Sequence, residues 1–248
     1  MSERPLSGAD LEEVNEPEAF SWIANALRGP VGEQPRGDHL RTLDLIPPSF
    51  ESYAKVLHPV FRRDETAASE FGSALWEEPR GLRVRWPEAA SESGVPYDAA
   101  LPDSSRSRRP PHLSLEYEGS IPPSILRAIV RVLDRPEAAP AYFWWWVVVA
   151  LFGFGPPRQS VPDRHVLCRG PLRALPDFLA REKRASPTYW WAADRTWCVA
   201  TDWDLCFTMI GGTPSTIRRL LAEPEIEGFE VASDSVLLRY SKLRPAEG

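Results

Sequence analysis

The sequence predicts an α+β fold, with a mixed or antiparallel sheet and helices packed on it, and three observations carry that expectation. Residues 189–212 alternate: Trp197, Val199, Leu205, Phe207 and Met209 fall on odd positions with smaller or polar groups between them. Period two in an aromatic and β-branched run is the mark of strands with a buried face. Residues 142–152 are continuously aromatic and aliphatic, bounded by Pro140 and Gly153, as in a central strand buried on both faces. Helical and strand patterns alternate irregularly along the chain, without the regular rhythm of a parallel sheet.

Taken in order, Leu11, Val14, Phe20, Ile23, Ala24 and Leu27 give a broken helical pattern around Pro17. A helix from about Pro17 is expected, stopped by Gly29-Pro30, and residues 29–38 read as a loop. Thr42–Ile46 reads as a short apolar strand. Pro47-Pro48-Ser49 then leads into an expected helix bearing Phe50, Tyr53, Ala54 and Leu57, ended by His58-Pro59. Leu82–Trp86 alternates as a strand, and Pro87–Ser93 follows as a short helix starting on proline. Residues 95–111 read as a flexible, solvated connector holding the basic patch Arg106, Arg108 and Arg109. Ile121-Pro122-Pro123-Ser124 repeats Ile46–Ser49 and opens an amphipathic helix through Ile125, Ala128, Ile129 and Val132. Proline pre-sets φ for a first helical turn, so a shared helix-start device accounts for both copies.

A strand at His165–Cys168 and a helix at Leu172–Arg184 precede the hairpin region. There Asp194-Arg195 and Asp202-Trp203-Asp204 mark turns between three short antiparallel strands. Gly211-Gly212 ends the last of them. Thr213 suits an N-cap and Pro214 a first helical position, with Ile217, Leu220 and Leu221 as the apolar face. Phe229–Val231 adds a final strand, and the last dozen residues are expected at the surface. The chain divides into an N-terminal helix and loop, 1–38, and a single α+β domain, 39–248, with the loop 95–111 as its candidate sub-boundary.

With 248 residues, 43% of them apolar, the chain can bury a substantial core. A formal net charge of -6 argues against a nucleic-acid binder, since phosphate contact needs a basic face. The 26 prolines, and a Lys and Arg total of 29 in which only Lys55, Lys183 and Lys242 are lysine, give the composition of a GC-rich bacterial genome. Three cysteines without a CxxC pair suit buried thiols in a reducing compartment. The N-terminus lacks the apolar stretch of a signal peptide, and the run 141–154 is shorter than the roughly 20 residues a membrane helix needs. A cytoplasmic protein with no membrane partner is expected.

Few residues point to chemistry. His39, His58, His112 and His165 stand at no metal-ligand spacing, so no metal is expected. No G-x-S-x-G, P-loop or G-x-G-x-x-G is present, so neither a serine nucleophile nor a nucleotide cofactor has support. Asp202-x-Asp204 superficially resembles a metal-binding pair of glycosyltransferases, but a turn role explains both aspartates. Trp190, Trp191, Trp197 and Trp203 cannot all face one core, so one or two are expected in a groove or at the surface, beside Asp194, Arg195 and Asp204.

The block Ser186–Asp202, with its Trp-Trp-Ala-Ala-Asp-Arg-Thr-Trp and Ala-Thr-Asp runs and the following Gly211-Gly212, resembles one found in uncharacterised cytoplasmic proteins of actinobacteria and related GC-rich bacteria. Ile46–Pro59 and Val84-Arg85-Trp86 are similar to that family too, but it carries no activity to transfer. The Pro-Pro-Ser-Phe start at Pro47–Phe50 and the strands near an acidic turn are similar to the SMI1/KNR4 (SUKH) superfamily of bacterial immunity proteins. That likeness implies an α+β module that binds a toxin rather than catalysing a reaction. The expected function is accordingly a non-enzymatic protein-binding module of the immunity type that captures a basic partner. Its expected binding residues are Trp190, Trp191, Asp194, Arg195, Asp202, Trp203 and Asp204. The alternative is a hydrolase or transferase using carboxylates near Asp202 and Asp204.

Overall fold

The computed structural model describes residues 11–16, 18–27, 39–62, 81–101, 110, 112–114, 119–135, 139–146, 165–202 and 205–239. Its centre is an eight-stranded sheet, antiparallel at every pairing. The order is β1 (Glu12–Glu13), β8 (His165–Gly170), β7 (Ala141–Trp146), β9 (Tyr189–Ala192), β10 (Cys198–Ala200), β11 (Phe207–Gly212), β3 (Ser52–Leu57) and β12 (Glu227–Val231). β2 (His39–Arg41) pairs with β13 (Val236–Arg239), and β4 (Val60–Arg62) lies between β5 (Leu82–Val84) and β6 (Leu113–Ser114). The fold is α+β, and its sheets are antiparallel.

Each face of the large sheet has its own core. On one face pack α4 (Pro123–Leu133), α5 (Leu175–Glu182) and α6 (Pro214–Leu221), over Phe143, Trp145, Trp190, Val199 and Ile210. On the other pack α1 (Glu18–Ala26), α2 (Thr42–Leu45), α3 (Trp86–Glu92) and the small sheets, over Trp144, Tyr189, Trp191, Phe207 and Met209. Successive side chains of a strand point to opposite faces, so an aromatic run such as Tyr189-Trp190-Trp191 serves both cores in turn. This is why Ala141–Trp146 is continuously apolar: β7 lies inside the sheet, and Phe143, Trp144 and Trp145 are buried. The remainder of that run, 147–152, lies outside the described residues, as does the patch Arg106, Arg108 and Arg109.

The meander 189–212 and the helix after it follow the expected pattern, with the Thr213 hydroxyl accepting from Thr216 N at 3.3 Å. Two assignments are reversed. Thr42–Leu45 is a helical turn rather than a strand, closed by Arg41 N donating to Asp44 Oδ2 at 2.7 Å. Ser52–Leu57 is a strand rather than a helix. All six of its residues are buried between β11 and β12, so it shows no polar alternation, while Tyr53, Ala54 and Leu57 imitate a helical stripe. The shared helix-start device therefore holds at Ile121–Ser124 but not at Ile46–Ser49, where the same prolines lead through a turn into β3. In the final dozen residues, Leu237 and Leu238 are buried through β13 rather than exposed.

The seam between β3 and β12 is tight. A Cβ on Gly228 would overlap the Lys55 carbonyl oxygen and stand 3.1 Å from Val56 Cα. Both obstacles are backbone, which cannot rotate away. Gly228→Ala is expected to destabilise by about 1–3 kcal/mol through overpacking. A denaturant midpoint equal to that of the parent protein would show that β12 can shift to accept the methyl group.

Candidate functional site

The hairpin between β9 and β10 presents the exposed polar step Asp194-Arg195-Thr196. Asp194 Oδ1 accepts from Thr196 N at 3.1 Å and from its hydroxyl at 2.8 Å, and Arg195 N donates to Ala192 O at 2.8 Å. Ala193 N reaches Pro140 O at 3.0 Å, which ties the turn to the approach to β7. In this turn Arg195 takes φ of 58°, in the left-handed region. For a residue with a side chain that conformation costs about 1–2 kcal/mol, and such residues concentrate at functional sites.

The strained backbone places the Arg195 guanidinium 5.2 Å from the centre of the Trp22 ring, a cation–π contact. Trp22 belongs to α1 and is half-buried. Its ring meets Trp191 and Phe50 edge-on, each at 6.4 Å between centroids. Phe50 in turn occupies space that only a glycine at 211 leaves, since a Cβ there would overlap its ring. The indole Nε1 of Trp22 is buried without a hydrogen-bond partner among the described residues. The sheet, Gly211, Phe50, Trp22 and Arg195 thus form a stack that rises from the core to the surface.

The other expected binding residues sit elsewhere. Trp190 and Trp191 are 0% and 2% exposed and face opposite cores. The limit of one core does not apply, because the sheet has two. Trp190 packs against Trp197 and Phe143, while Trp191 stacks on Tyr142 beneath α1. Asp202 is half-buried at the far end of β10. Trp203 and Asp204 lie outside the described residues. Asp194 thus precedes β10 and Asp202 follows it, at opposite ends of that strand.

No family model, curated protein or solved structure matches this chain.

The cysteine side chains are locked inside. Cys168, Cys198 and Cys206 are buried, and none is joined in a disulfide. Burial pushes Cys168 up to about 12 and raises Cys198 as well, which keeps both protonated and unreactive. Sequence reasoning missed a buried polar chain on the side of the sheet that α4, α5 and α6 cover. His58 Nε2 meets Thr208 Oγ1 at 2.9 Å, and Thr208 Oγ1 meets Thr201 Oγ1 at 2.8 Å. His58 O accepts from Trp86 Nε1 at 2.8 Å. All three side chains are 0–1% exposed, so the chain satisfies polar groups inside the core. Reading His58-Pro59 as a helix stop hid it, because only a strand through Leu57 places His58 beside the strand that carries Thr208. Among the described residues no group of three His, Cys, Asp or Glu could hold a metal ion, and no helix is long and apolar enough to cross a membrane.

Proposed function

We propose that this protein is a non-enzymatic binding module, of the immunity type, that captures a basic protein partner. The observation that carries the reading is Arg195, held in a left-handed conformation so that its guanidinium covers the half-buried ring of Trp22. Tryptophan and arginine on a rigid support are the residue types that dominate binding energy at interfaces. The reading is also supported by charge. The net charge of -6 favours encounter with a cation, and Glu12, Glu13 and Glu18 are exposed on β1 and at the start of α1, the helix that carries Trp22. Asp194 supplies a carboxylate in the same turn as Arg195.

Arg195→Gly separates binding from stability. Glycine accepts φ of 58° without strain, so the melting temperature is expected to stay within about 3 °C of the parent. Partner capture is expected to fall at least tenfold. The measurement is photo-crosslinking from p-benzoylphenylalanine at position 196 in lysate of the native host, with adducts identified by mass spectrometry. The expected adduct is a basic protein, lost in Arg195→Gly and Trp22→Ala. An adduct that survives both substitutions, or partners that are uniformly acidic, would overturn the proposal.

A further inference from the structure

The large sheet ends on two unlike edges. β1 holds only Glu12 and Glu13, both exposed, so charge and shortness blunt that side. β12 is five residues long and has β3 on one side only. Among the described residues no hydrogen bond reaches the main chain of Gly228 or Glu230 from the other side. The direction of those groups follows from register. His58 N donates to Cys206 O at 2.9 Å, so the even positions of β3 turn their peptide groups to β11 and the odd ones to β12. Leu57, Lys55 and Tyr53 stand opposite Glu227, Phe229 and Val231. The N–H and C=O groups of Gly228 and Glu230 therefore point away from the sheet.

The same edge carries an aromatic pair. Phe229 is half-buried, and its ring centre lies 4.9 Å from that of Tyr97, which is 40% exposed. Tyr97 and Leu82 are the only exposed large hydrophobic side chains among the described residues. The exposed charge of the strand, Glu230, is held along its own sheet, where Oε1 accepts from Ser52 Oγ at 2.6 Å.

We infer that β12 is the interface for a second copy of this chain, paired antiparallel with the same strand about a twofold axis at Phe229. In that register the strand is its own complement. Gly228 of each copy stands opposite Glu230 of the other and exchanges both main-chain hydrogen bonds with it, so every outward donor and acceptor is used. The carboxylate of Glu230 meets a residue without a side chain. An axis at Glu230 would instead set two carboxylates directly opposite, which is destabilising. Phe229 faces its own copy in the closer, non-hydrogen-bonded pairing, with Tyr97 of each copy beside it. Between β12 and β9, whose turn carries Arg195, lie β10, β11 and β3, so the pairing leaves the Trp22–Arg195 surface clear.

The test is sedimentation equilibrium of the full chain over a concentration series, with Tyr97→Lys alongside. A concentration-dependent dimer is expected, its dissociation constant rising at least tenfold in Tyr97→Lys, which brings ammonium groups together at the axis. The Tyr97 ring is exposed enough that this variant should melt with the parent. Register is read by disulfide formation. Facing residues of a non-hydrogen-bonded pair have Cα atoms about 4.5 Å apart, within reach of a disulfide, so oxidised Phe229→Cys is expected to run as a covalent dimer on a non-reducing gel. Glu230→Cys places its two thiols on Cα atoms more than about 7 Å apart and is expected to stay single. Cys168, Cys198 and Cys206 are buried and should not contribute. A monomer at every concentration, a dimer indifferent to Tyr97→Lys, or equal crosslinking at both positions would each overturn the inference. Should Phe229→Cys fail to fold, the Tyr97→Lys comparison decides alone.

Discussion

Trp190→Ala is expected to lower stability by about 3–5 kcal/mol, the range for removing a buried aromatic side chain without full collapse of the space. Trp190 is 0% exposed in the middle of the sheet, 6.5 Å from Phe143 and edge-on to Trp197 at 5.8 Å between ring centres. A more discriminating comparison uses phenylalanine. The Trp190 Nε1 is buried with no hydrogen-bond partner among the described residues, and an unsatisfied donor already costs about 1–3 kcal/mol. Trp190→Phe removes that burden together with some packing, and the two effects oppose each other. At Trp145, also 0% exposed, Nε1 donates to Ala185 O at 3.0 Å. Trp145→Phe therefore loses packing and strands a carbonyl, and nothing offsets either. Urea midpoints should place Trp145→Phe well below Trp190→Phe. The reverse order would mean that the indole of Trp190 finds an acceptor and that packing alone governs both sites.

How much of this was legible in the sequence follows from burial. The meander 189–212 and α6 were readable because the cues were local: alternation, a Gly-Gly end, a Thr-Pro start. β7 was readable because its flanking proline and its rings left no helical option. β3 was not. A strand covered on both sides and flanked by two others carries no polarity pattern, and even its one charged residue, Lys55, is buried. β1, β2, β4, β6 and β13 have two to four residues each, too few for a period to register. At the candidate site, Asp194 and Arg195 could be read as an exposed turn, but their neighbour Trp22 is more than 170 positions away. No local pattern announces that contact. The two-sided core is also what moved Trp190 and Trp191 from surface candidates to the interior.

Replacing Lys55 carries the second large effect. The side chain is 1% exposed. Its Nζ donates to Leu237 O at 2.7 Å and to Ala99 O at 3.2 Å and stands 4.0 Å from the centre of the Phe207 ring. One ammonium thus joins the large sheet to β13 and to the segment after α3. Lys55→Ala removes these bonds and opens a cavity, with an expected loss of at least about 3 kcal/mol. Lys55→Met keeps most of the stem volume and removes the desolvated charge, but it leaves the Leu237 and Ala99 carbonyls one donor short. An intermediate loss of about 1–3 kcal/mol is expected, because the stranded carbonyls outweigh the relief of burying no ion. The local signature separates this from general loosening: amide exchange at Leu237 and Leu238 should quicken in Lys55→Met before that of Ile210 or Val199 in the large sheet. A Met variant more stable than the parent would exclude the lysine as a structural tie. A charge kept in the core at a net cost to the fold would then have to be there for something other than folding.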